Sequence, residues 1–289
     1  MNSTDQLSPI VWRPVRNGVY VTTLEPATVN VGLVVGTSGA LLVDSGSSPA
    51  QGQALRGSVA QVTDVPLRHV VVTHHHWDHT YGLAAFAGVE TIGHEALAAA
   101  LTSDAARAAA IGQGLAPDDV VGPTTSISIL AARDLGGIHV EIGHFGPGHT
   151  QGDLAILVPE ARVVFAGDLV ENGAPPQVDE TTSLKDWPQV MEALLTLCKP
   201  DTIVVPGHGE LVEPDFIAWQ RAGLAAIYGQ CEWLVTQGVA ETDAYAHPEL
   251  QWPWDEEWVR ASIHHAYIEL VAAGLKPVRT LPIQAVGRG

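Results

Sequence analysis

The feature that most constrains this chain is a dense group of histidines around one aspartate, Thr-His-His-His-Trp-Asp-His-Thr-Tyr-Gly at residues 73–82. The group directly follows the apolar residues 70–72, which are typical of a buried strand. Imidazole and carboxylate groups are the ligands that suit zinc, iron and similar metals. A strand that ends in such a loop and then begins a helix is a usual place for an α/β active site.

The spacing within this group sorts its side chains into two sets. Side chains alternate between the faces of an extended segment, so His74, His76 and Asp78 point one way. His75 points the other way and is therefore predicted not to be a ligand. His79 breaks the alternation, which indicates that the chain turns into a helix at about that position.

Three further metal-capable residues each follow a short apolar run and lie beside glycine. They are His149 in Gly-Pro-Gly-His-Thr, Asp168 in Val-Val-Phe-Ala-Gly-Asp, and His208 in Val-Val-Pro-Gly-His-Gly. Glycine beside a ligand lets the backbone come close to a metal centre. We therefore expect separate strand ends to deliver these ligands to one edge of the fold.

In this order the motifs resemble those of the metallo-β-lactamase-fold hydrolase superfamily, from about residue 30 to residue 209. The resemblance implies an α/β fold, a four-layer αβ/βα sandwich with a C-terminal helical extension. All seven ligand positions of the superfamily's two-metal pattern are filled. The resemblance assigns the first metal to His74, His76 and His149, the second to Asp78, His79 and His208, and the bridging position to Asp168. Asp44, in Leu-Leu-Val-Asp-Ser-Gly, matches the family's aspartate that supports the ligands from behind.

This ligand set implies two Zn²⁺ ions as cofactors, with iron or manganese as alternatives. Two ions that share a water lower its pKa toward neutrality, which makes hydroxide available near pH 7. Asp78 is then a catalytic residue as well as a ligand, because its carboxylate can receive and return a proton. We predict a zinc-dependent hydrolase that uses a metal-bridged hydroxide to cleave an ester, thioester or lactone bond, or an amide, in a small molecule.

Two other functions stay open for the same scaffold. One is an oxidoreductase that resembles persulfide dioxygenases, which use a single iron ion. The other is a β-lactam hydrolase, although most dedicated β-lactamases have cysteine or serine near the position of Asp168. The metal set is more similar to that of glyoxalase-II-like and lactonase members. The basic contacts that a glutathione carboxylate needs are not evident, since residues 214–270 contain only Arg221 and Arg260 as fixed cations.

Charge and hydropathy argue against several classes of partner. The formal net charge is −18 and the isoelectric point is near 4.9, so the surface would repel nucleic acid and anionic membranes. No run is long and apolar enough to cross a membrane. The first 25 residues lack the pattern of a secretory signal. The expected partner is a small-molecule substrate, and the expected location is cytoplasmic.

The change in residue pattern near Pro214 predicts two parts, a catalytic domain at residues 1–213 and a helical extension at 214–289 packed on it. Five tryptophans lie in the extension. We expect them to pack the extension onto the body or onto a second subunit, so a homo-oligomer stays open.

Local patterns in the first part predict three further elements. Alanine-rich residues 95–111 predict one helix, residues 81–86 the start of another, and residues 127–131 one strand.

Overall fold

The structure, a computed structural model, describes residues 8–276 of the 289-residue chain. In this range twelve strands occur in chain order, β1 Arg13–Arg16, β2 Val19–Leu24, β3 Val29–Val35, β4 Ala40–Val43, β5 Leu67–Val71, β6 Glu90–His94, β7 Thr125–Ile127, β8 Leu130–Asp134, β9 His139–Gly143, β10 Ala155–Val158, β11 Val163–Glu171 and β12 Ile203–His208. The same range contains eight α-helices, α1 Pro49–Ser58, α2 Trp77–Thr80, α3 Glu95–Leu101, α4 Asp104–Gly112, α5 Trp187–Leu197, α6 Pro214–Gln237, α7 Glu241–Ala244 and α8 Glu256–Ala272. Short 3₁₀ helices lie at Val59–Gln61, Leu83–Phe86 and Pro117–Asp119.

The strands form two sheets that face each other. In the first sheet β1 to β7 lie side by side in chain order, and the second sheet has the order β12, β11, β10, β9, β8. A single pairing, between Val29 of β3 and His208 of β12, links the two sheets. β4 and β5 are parallel, as are β11 and β12, so the carboxyl ends of these pairs can deliver side chains to one edge.

Alternating side chains divide the apolar core into layers. Leu41 of β4 and Phe165 of β11 belong to the cluster between the sheets. Their neighbours face outward, Leu42 toward α1 and α3, and Val164 toward α5, α6 and α8. A Cβ at Gly32 would overlap the ring of Phe165, so this glycine lets the sheets approach. The order helix, sheet, sheet, helix confirms the α/β four-layer αβ/βα sandwich.

Three local predictions were wrong. The predicted helix at 95–111 is two helices, because the hydroxyl of Ser103 accepts from the N–H of Ala106 and caps a new helix. Residues 81–86 do not begin a longer α-helix. They follow the short α2, and only Leu83–Phe86 are helical, as a 3₁₀ helix. The predicted strand at 127–131 is divided, because β7 pairs with β6 in the first sheet and β8 with β9 in the second.

The C-terminal helices close the outer face of the second sheet. Ile217, Leu224 and Ile263 share one cluster with residues of β10, β11 and β12. Trp252, Trp254 and Trp258 pack against that cluster, whereas Trp219 and Trp233 are 52% and 38% exposed. α6 begins at Pro214, the first residue of the predicted extension, and the division into two domains stays a prediction. Residues 1–7 and 277–289 of those predicted domains lie outside the described residues.

Within residues 8–276, no helix combines the length and apolar character that a membrane crossing requires. The two cysteines are unpaired. Cys231 is buried in α6, and Cys198 is half-buried at the end of α5.

Candidate metal centre

The first-ion group consists of His74, His76 and His149, which lie in the β5–α2 loop and the β9–β10 loop. Nε2 of His74 and Nε2 of His149 lie 3.0 and 2.9 Å from Nδ1 of His76. Oδ2 of Asp168 lies 3.5 Å from both Nε2 atoms. These four atoms surround one point at spacings near the roughly 3.3 Å expected between donors of a tetrahedral zinc site.

The second-ion group consists of Asp78, His79 and His208. Oδ2 of Asp78 lies 3.2 Å from Nε2 of His208 and 3.6 Å from Nε2 of His79. Asp168 faces this group too, with Oδ1 3.3 Å from Nε2 of His79 and Oδ2 3.6 Å from Nε2 of His208. The structure therefore brings all seven predicted ligands together, with Asp168 between the two groups.

Two buried atoms indicate that the residues fit a cation. Nε2 of His79 and Oδ1 of Asp168 are buried and have no hydrogen-bond partner among the described residues. Each such atom costs about 1–3 kcal/mol when it stays unpartnered. A divalent ion held by the second-ion group and Asp168 would satisfy both atoms. The donor set, imidazole with carboxylate, is one that zinc accepts.

Asp44 supports the second-ion group from behind. Its Oδ2 accepts a hydrogen bond from Nδ1 of His79 at 2.9 Å, and its Oδ1 accepts from the N–H of Thr73 at 2.7 Å. The first bond fixes the His79 tautomer that leaves Nε2 free for an ion. Asp44 has a φ of 69°, a strained conformation for a residue other than glycine, at the end of β4. The structure thus places Asp44 directly behind His79, and its role in a metal centre stays a prediction.

A support that sequence analysis did not identify lies in residues 176–185, between β11 and α5; we call it the supporting loop. Asp179 accepts a hydrogen bond at Oδ2 from Nε2 of His76 at 2.8 Å. The carbonyl of Gln177 accepts from Nδ1 of His149 at 3.1 Å. These bonds leave Nδ1 of His76 and Nε2 of His149, the two atoms that face each other, for an ion.

The supporting loop is anchored to α8 of the C-terminal region. The carbonyl of Thr182 accepts a hydrogen bond from Nε2 of His265 at 2.9 Å. Oε1 of Glu269 accepts from the N–H of Leu184 at 2.9 Å. A continuous set of hydrogen bonds therefore runs from α8 through the supporting loop to the first-ion group.

A backbone feature brings the last ligand close to the bridging carboxylate. A Cβ at Gly207 would overlap Oδ1 of Asp168, so only glycine fits directly before His208. β11 continues past Asp168 to Glu171, with an irregular pairing near Gly167 that interrupts the register with β12. The prediction that Asp168 ends its strand was therefore wrong by three residues, although its side chain reaches the predicted position.

An open cavity of about 460 Å³ reaches this centre. Its lining comprises Ala27, Thr28, His76, Trp77, Asp78, Asp168, Glu171, Ala174, Gln177, Asp179 and His208. Glu171 is another acid that sequence analysis missed, and its Oε1 accepts from the N–H of Gln177 at 2.7 Å. Burial, together with the charge of Asp168, raises the pKa of Glu171 well above its ordinary value.

The protonation of the two groups differs in the absence of an ion. Burial and the neighbouring His76 lower the pKa of His149 to about 3. Burial alone would lower the pKa of His208, but hydrogen bonds to Asp168 and Asp78 outweigh it and raise the pKa to about 10. Without an ion, protons on the second-ion group therefore balance the carboxylates.

The remaining histidines have other roles in the fold. His75 is half-buried and lines a separate small cavity on the α3 side, which agrees with its opposite parity. It lies close enough to His76 and Asp179 for these three to form an alternative cation group. The rings of His144 and His94 lie against each other in a tilted arrangement, with centroids 4.1 Å apart. His265 contacts the supporting loop but is absent from the cavity lining.

A sequence model of the family described as "Metallo-beta-lactamase superfamily" matches residues 24–208, well over half of the chain. The match spans Asp44, all seven predicted ligands and strands β3 to β12. It ends at His208, before α6 begins.

Individual relatives point to more than one activity within that family. A "Metallo-beta-lactamase type 2" of Bacillus sp. (strain 170) is 25% identical over 212 residues, covering 72% of this chain and 77% of the relative. A "Hydroxyacylglutathione hydrolase" of Ruegeria pomeroyi is 33% identical over 145 residues, 49% of this chain and 48% of that protein. A solved metallo-beta-lactamase from Pontibacter korlensis has a TM-score of 0.60 at 21% identity, covering 74% of this chain and 98% of that one, which shows the shared fold.

Proposed function

Because this chain belongs to the metallo-beta-lactamase superfamily and is a metal-dependent hydrolase, we propose that it binds two zinc ions and cleaves an ester, thioester or lactone bond in a small molecule. The observation that carries this proposal is the convergence of six donor side chains, in two groups of three, around a seventh, Asp168, beside an open cavity. When bound, the ions would supply Lewis acidity that acidifies water and polarises the acyl group.

Asp78 is the residue placed to handle the proton. It is buried, lines the cavity and keeps one oxygen toward His208 and His79. Burial alone would raise its pKa, but His79 and the hydrogen bond from His208 hold the pKa of Asp78 below its ordinary value. The ionised carboxylate can accept a proton from the attacking water. Water adds to the acyl carbon, the C–O or C–S bond breaks, and the products are a carboxylic acid and an alcohol or thiol.

Substitution of Asp78 tests this role. Asp78→Asn keeps the shape and one ligand oxygen but cannot accept a proton, so kcat should fall by about 10²–10⁴-fold. Metal content must be measured on the same sample, because ion loss would also lower kcat. His75→Ala is the matched control and should leave the metal content nearly unchanged. An Asp78→Asn variant that keeps both ions and a near-normal kcat would show that the proton-transfer role is wrong.

A second candidate function is β-lactam hydrolysis. Two relatives with the name "Metallo-beta-lactamase type 2", at 25% and 26% identity, each cover 72% of this chain. A panel of lactone, thioester and β-lactam substrates, assayed with the zinc-loaded protein, separates the two functions. Hydrolysis of β-lactams with far higher kcat/KM than of esters, thioesters or lactones would favour the second.

The remaining expectations about partners stay proposals. The net charge of −18 supports a small molecule rather than nucleic acid or an anionic membrane as the partner. A cytoplasmic location and self-association likewise stay predictions. The two exposed tryptophans, Trp219 and Trp233, mark the surface on which self-association should be tested first.

A further inference from the structure

The charged side chains that line the cavity, apart from the histidines, are all acidic. Beyond the predicted ligands, the lining contains the acids Glu171 and Asp179 and, within residues 8–276, no lysine or arginine. The other lining side chains are uncharged, and Trp77 and Ala174 are apolar while Thr28 can form hydrogen bonds. Among the residues that the structure describes, a carboxylate on a substrate would therefore find no lysine or arginine in this cavity.

Two divalent ions, when bound, would offer little surplus positive charge for such a carboxylate. Asp78 and Asp168 belong to the predicted ligand set, and Asp179 lies directly behind His76 at 2.8 Å. These three acids offset much of the positive charge that two divalent ions bring. The net charge of −18 adds long-range repulsion for any anion that approaches.

Several cations among residues 8–276 lie away from this cavity. Arg162 and Lys199 line a different surface cavity, at the amino ends of β11 and β12, whereas Asp168 and His208 lie toward the carboxyl ends. Arg162 is paired with Asp201 there. In the C-terminal region, the two arginines noted in the sequence pair with acids on their own surface, Arg221 with Glu192 and Arg260 with Glu256.

From this distribution we infer that the enzyme's substrate is an acyl compound, an ester, thioester or lactone, whose recognised part carries no anionic group. This inference rests on the proposed hydrolase function and narrows its substrate class. It separates the chain from a relative named hydroxyacylglutathione hydrolase, since glutathione carries more carboxylates than ammonium groups. Apolar contact with Trp77 and Ala174, together with neutral hydrogen bonds, would position the substrate.

A matched pair of thioesters tests the inference. The same acyl group is presented on N-acetylcysteamine, which is uncharged, and on glutathione, and kcat/KM is measured for the zinc-loaded protein at low and high salt. We expect kcat/KM to be at least about tenfold higher for the uncharged thioester at low salt, with a smaller difference at high salt. An equal or higher value for the glutathione thioester would overturn the inference and leave the hydrolase function intact. Hydrolysis of none of the ester, thioester and lactone substrates by fully loaded protein would instead refute the proposed function.

Binding of inert analogues provides a readout that does not depend on turnover. Calorimetry measures the affinity of two inert thioethers, S-alkyl-N-acetylcysteamine and S-alkylglutathione. Each is titrated into the wild type and into the variants Ala174→Arg and Ala174→Gln. Ala174 is exposed, so both substitutions are compatible with folding. Ala174→Arg should strengthen binding of the glutathione thioether relative to the uncharged one by about tenfold, and the neutral Ala174→Gln should not. A preference for the glutathione thioether in the wild type, or the same ratio in both variants, would overturn the inference.

Discussion

The two halves of the metal centre are supported by different parts of the fold. In the second-ion group, His79 is held by Asp44, which is 1% exposed and lies at the end of β4 inside the first sheet. In the first-ion group, His76 is held by Asp179, whose side chain is 32% exposed and lies in the supporting loop. One half is therefore supported from the end of a sheet strand, and the other depends on a loop that α8 holds in place.

This difference has a consequence for how the centre can change. Hydrogen bonds enclosed in a core are stronger and more costly to lose than bonds open to water. Loops also tolerate sequence change better than sheets. Changes in the supporting loop or in α8 can thus alter the first-ion group while β4 and β5 stay the same.

The most direct way to break the comparison is to remove each supporting carboxylate. Asp44→Ala should weaken the second ion, and Asp179→Ala should weaken the first. Outer partners of metal ligands typically contribute about 10–100-fold in affinity. We expect Asp44→Ala near the upper end, because it leaves His79 and the N–H of Thr73 without a buried partner. Asp179→Ala should lie near the lower end, because water can reach His76.

Stepwise removal of zinc by a chelator measures both affinities. Glu180→Ala is the matched control for Asp179→Ala, since Glu180 is exposed and adjacent in the supporting loop. Asp44→Asn keeps one acceptor oxygen and should recover part of the loss. If either alanine variant weakened both ions equally, the two halves would not be independently supported.

The protons that the histidines release on ion binding provide a second way to compare the two ion groups. Both histidines of the second-ion group have raised pKa values, that of His208 to about 10, whereas in the first-ion group His74 and His149 have lowered pKa values and only His76 has a raised one. A ligand nitrogen must lose its proton to bind an ion. Below pH 10 the second ion therefore displaces a proton from His208, and its affinity should rise with pH by about tenfold per unit for each proton displaced.

Zinc titration calorimetry in two buffers of different ionisation enthalpy counts these protons. Between about pH 6 and 8 the second binding event should release more protons than the first. Equal release, or more release from the first event, would mean that the two groups do not differ in protonation.

The smallest expected effect comes from α8. Glu269→Ala removes the acceptor for the N–H of Leu184 and should loosen the supporting loop, lowering the first ion's affinity a few-fold. Glu269→Gln keeps one acceptor oxygen and should recover most of it. Glu257→Ala, exposed on the same helix, is the control. An effect of Glu269→Ala on the second ion alone would contradict the coupling of α8 to the first-ion group.

The positions of the candidate ligands were predictable because the group at residues 73–82, and likewise His149, Asp168 and His208, follows a short apolar run, a pattern that marks where a side chain leaves a sheet. Asp44 has the same pattern at the end of β4, and the structure brings it to His79. The alternation of faces also predicted that His75 points away from His74 and His76. In the structure, His75 lines a different cavity.

The supporting residues had no comparable signal. Asp179 contacts His76 across 103 positions of sequence, and the loop that carries it has no periodic pattern. Glu171 gains its burial only because β11 extends past Asp168. Likewise, residues 127–131 change from one sheet to the other, a tertiary event that local alternation cannot indicate.

The central claim, that these side chains form one centre for two ions, is tested most directly by metal analysis of anaerobically purified protein. We expect two zinc ions per chain in the wild type, and Asp168→Ala should lose the second ion first, because this residue supplies the oxygens that face both groups. One iron ion per chain, with oxygen-dependent activity on a thiol persulfide, would contradict the two-ion hydrolase.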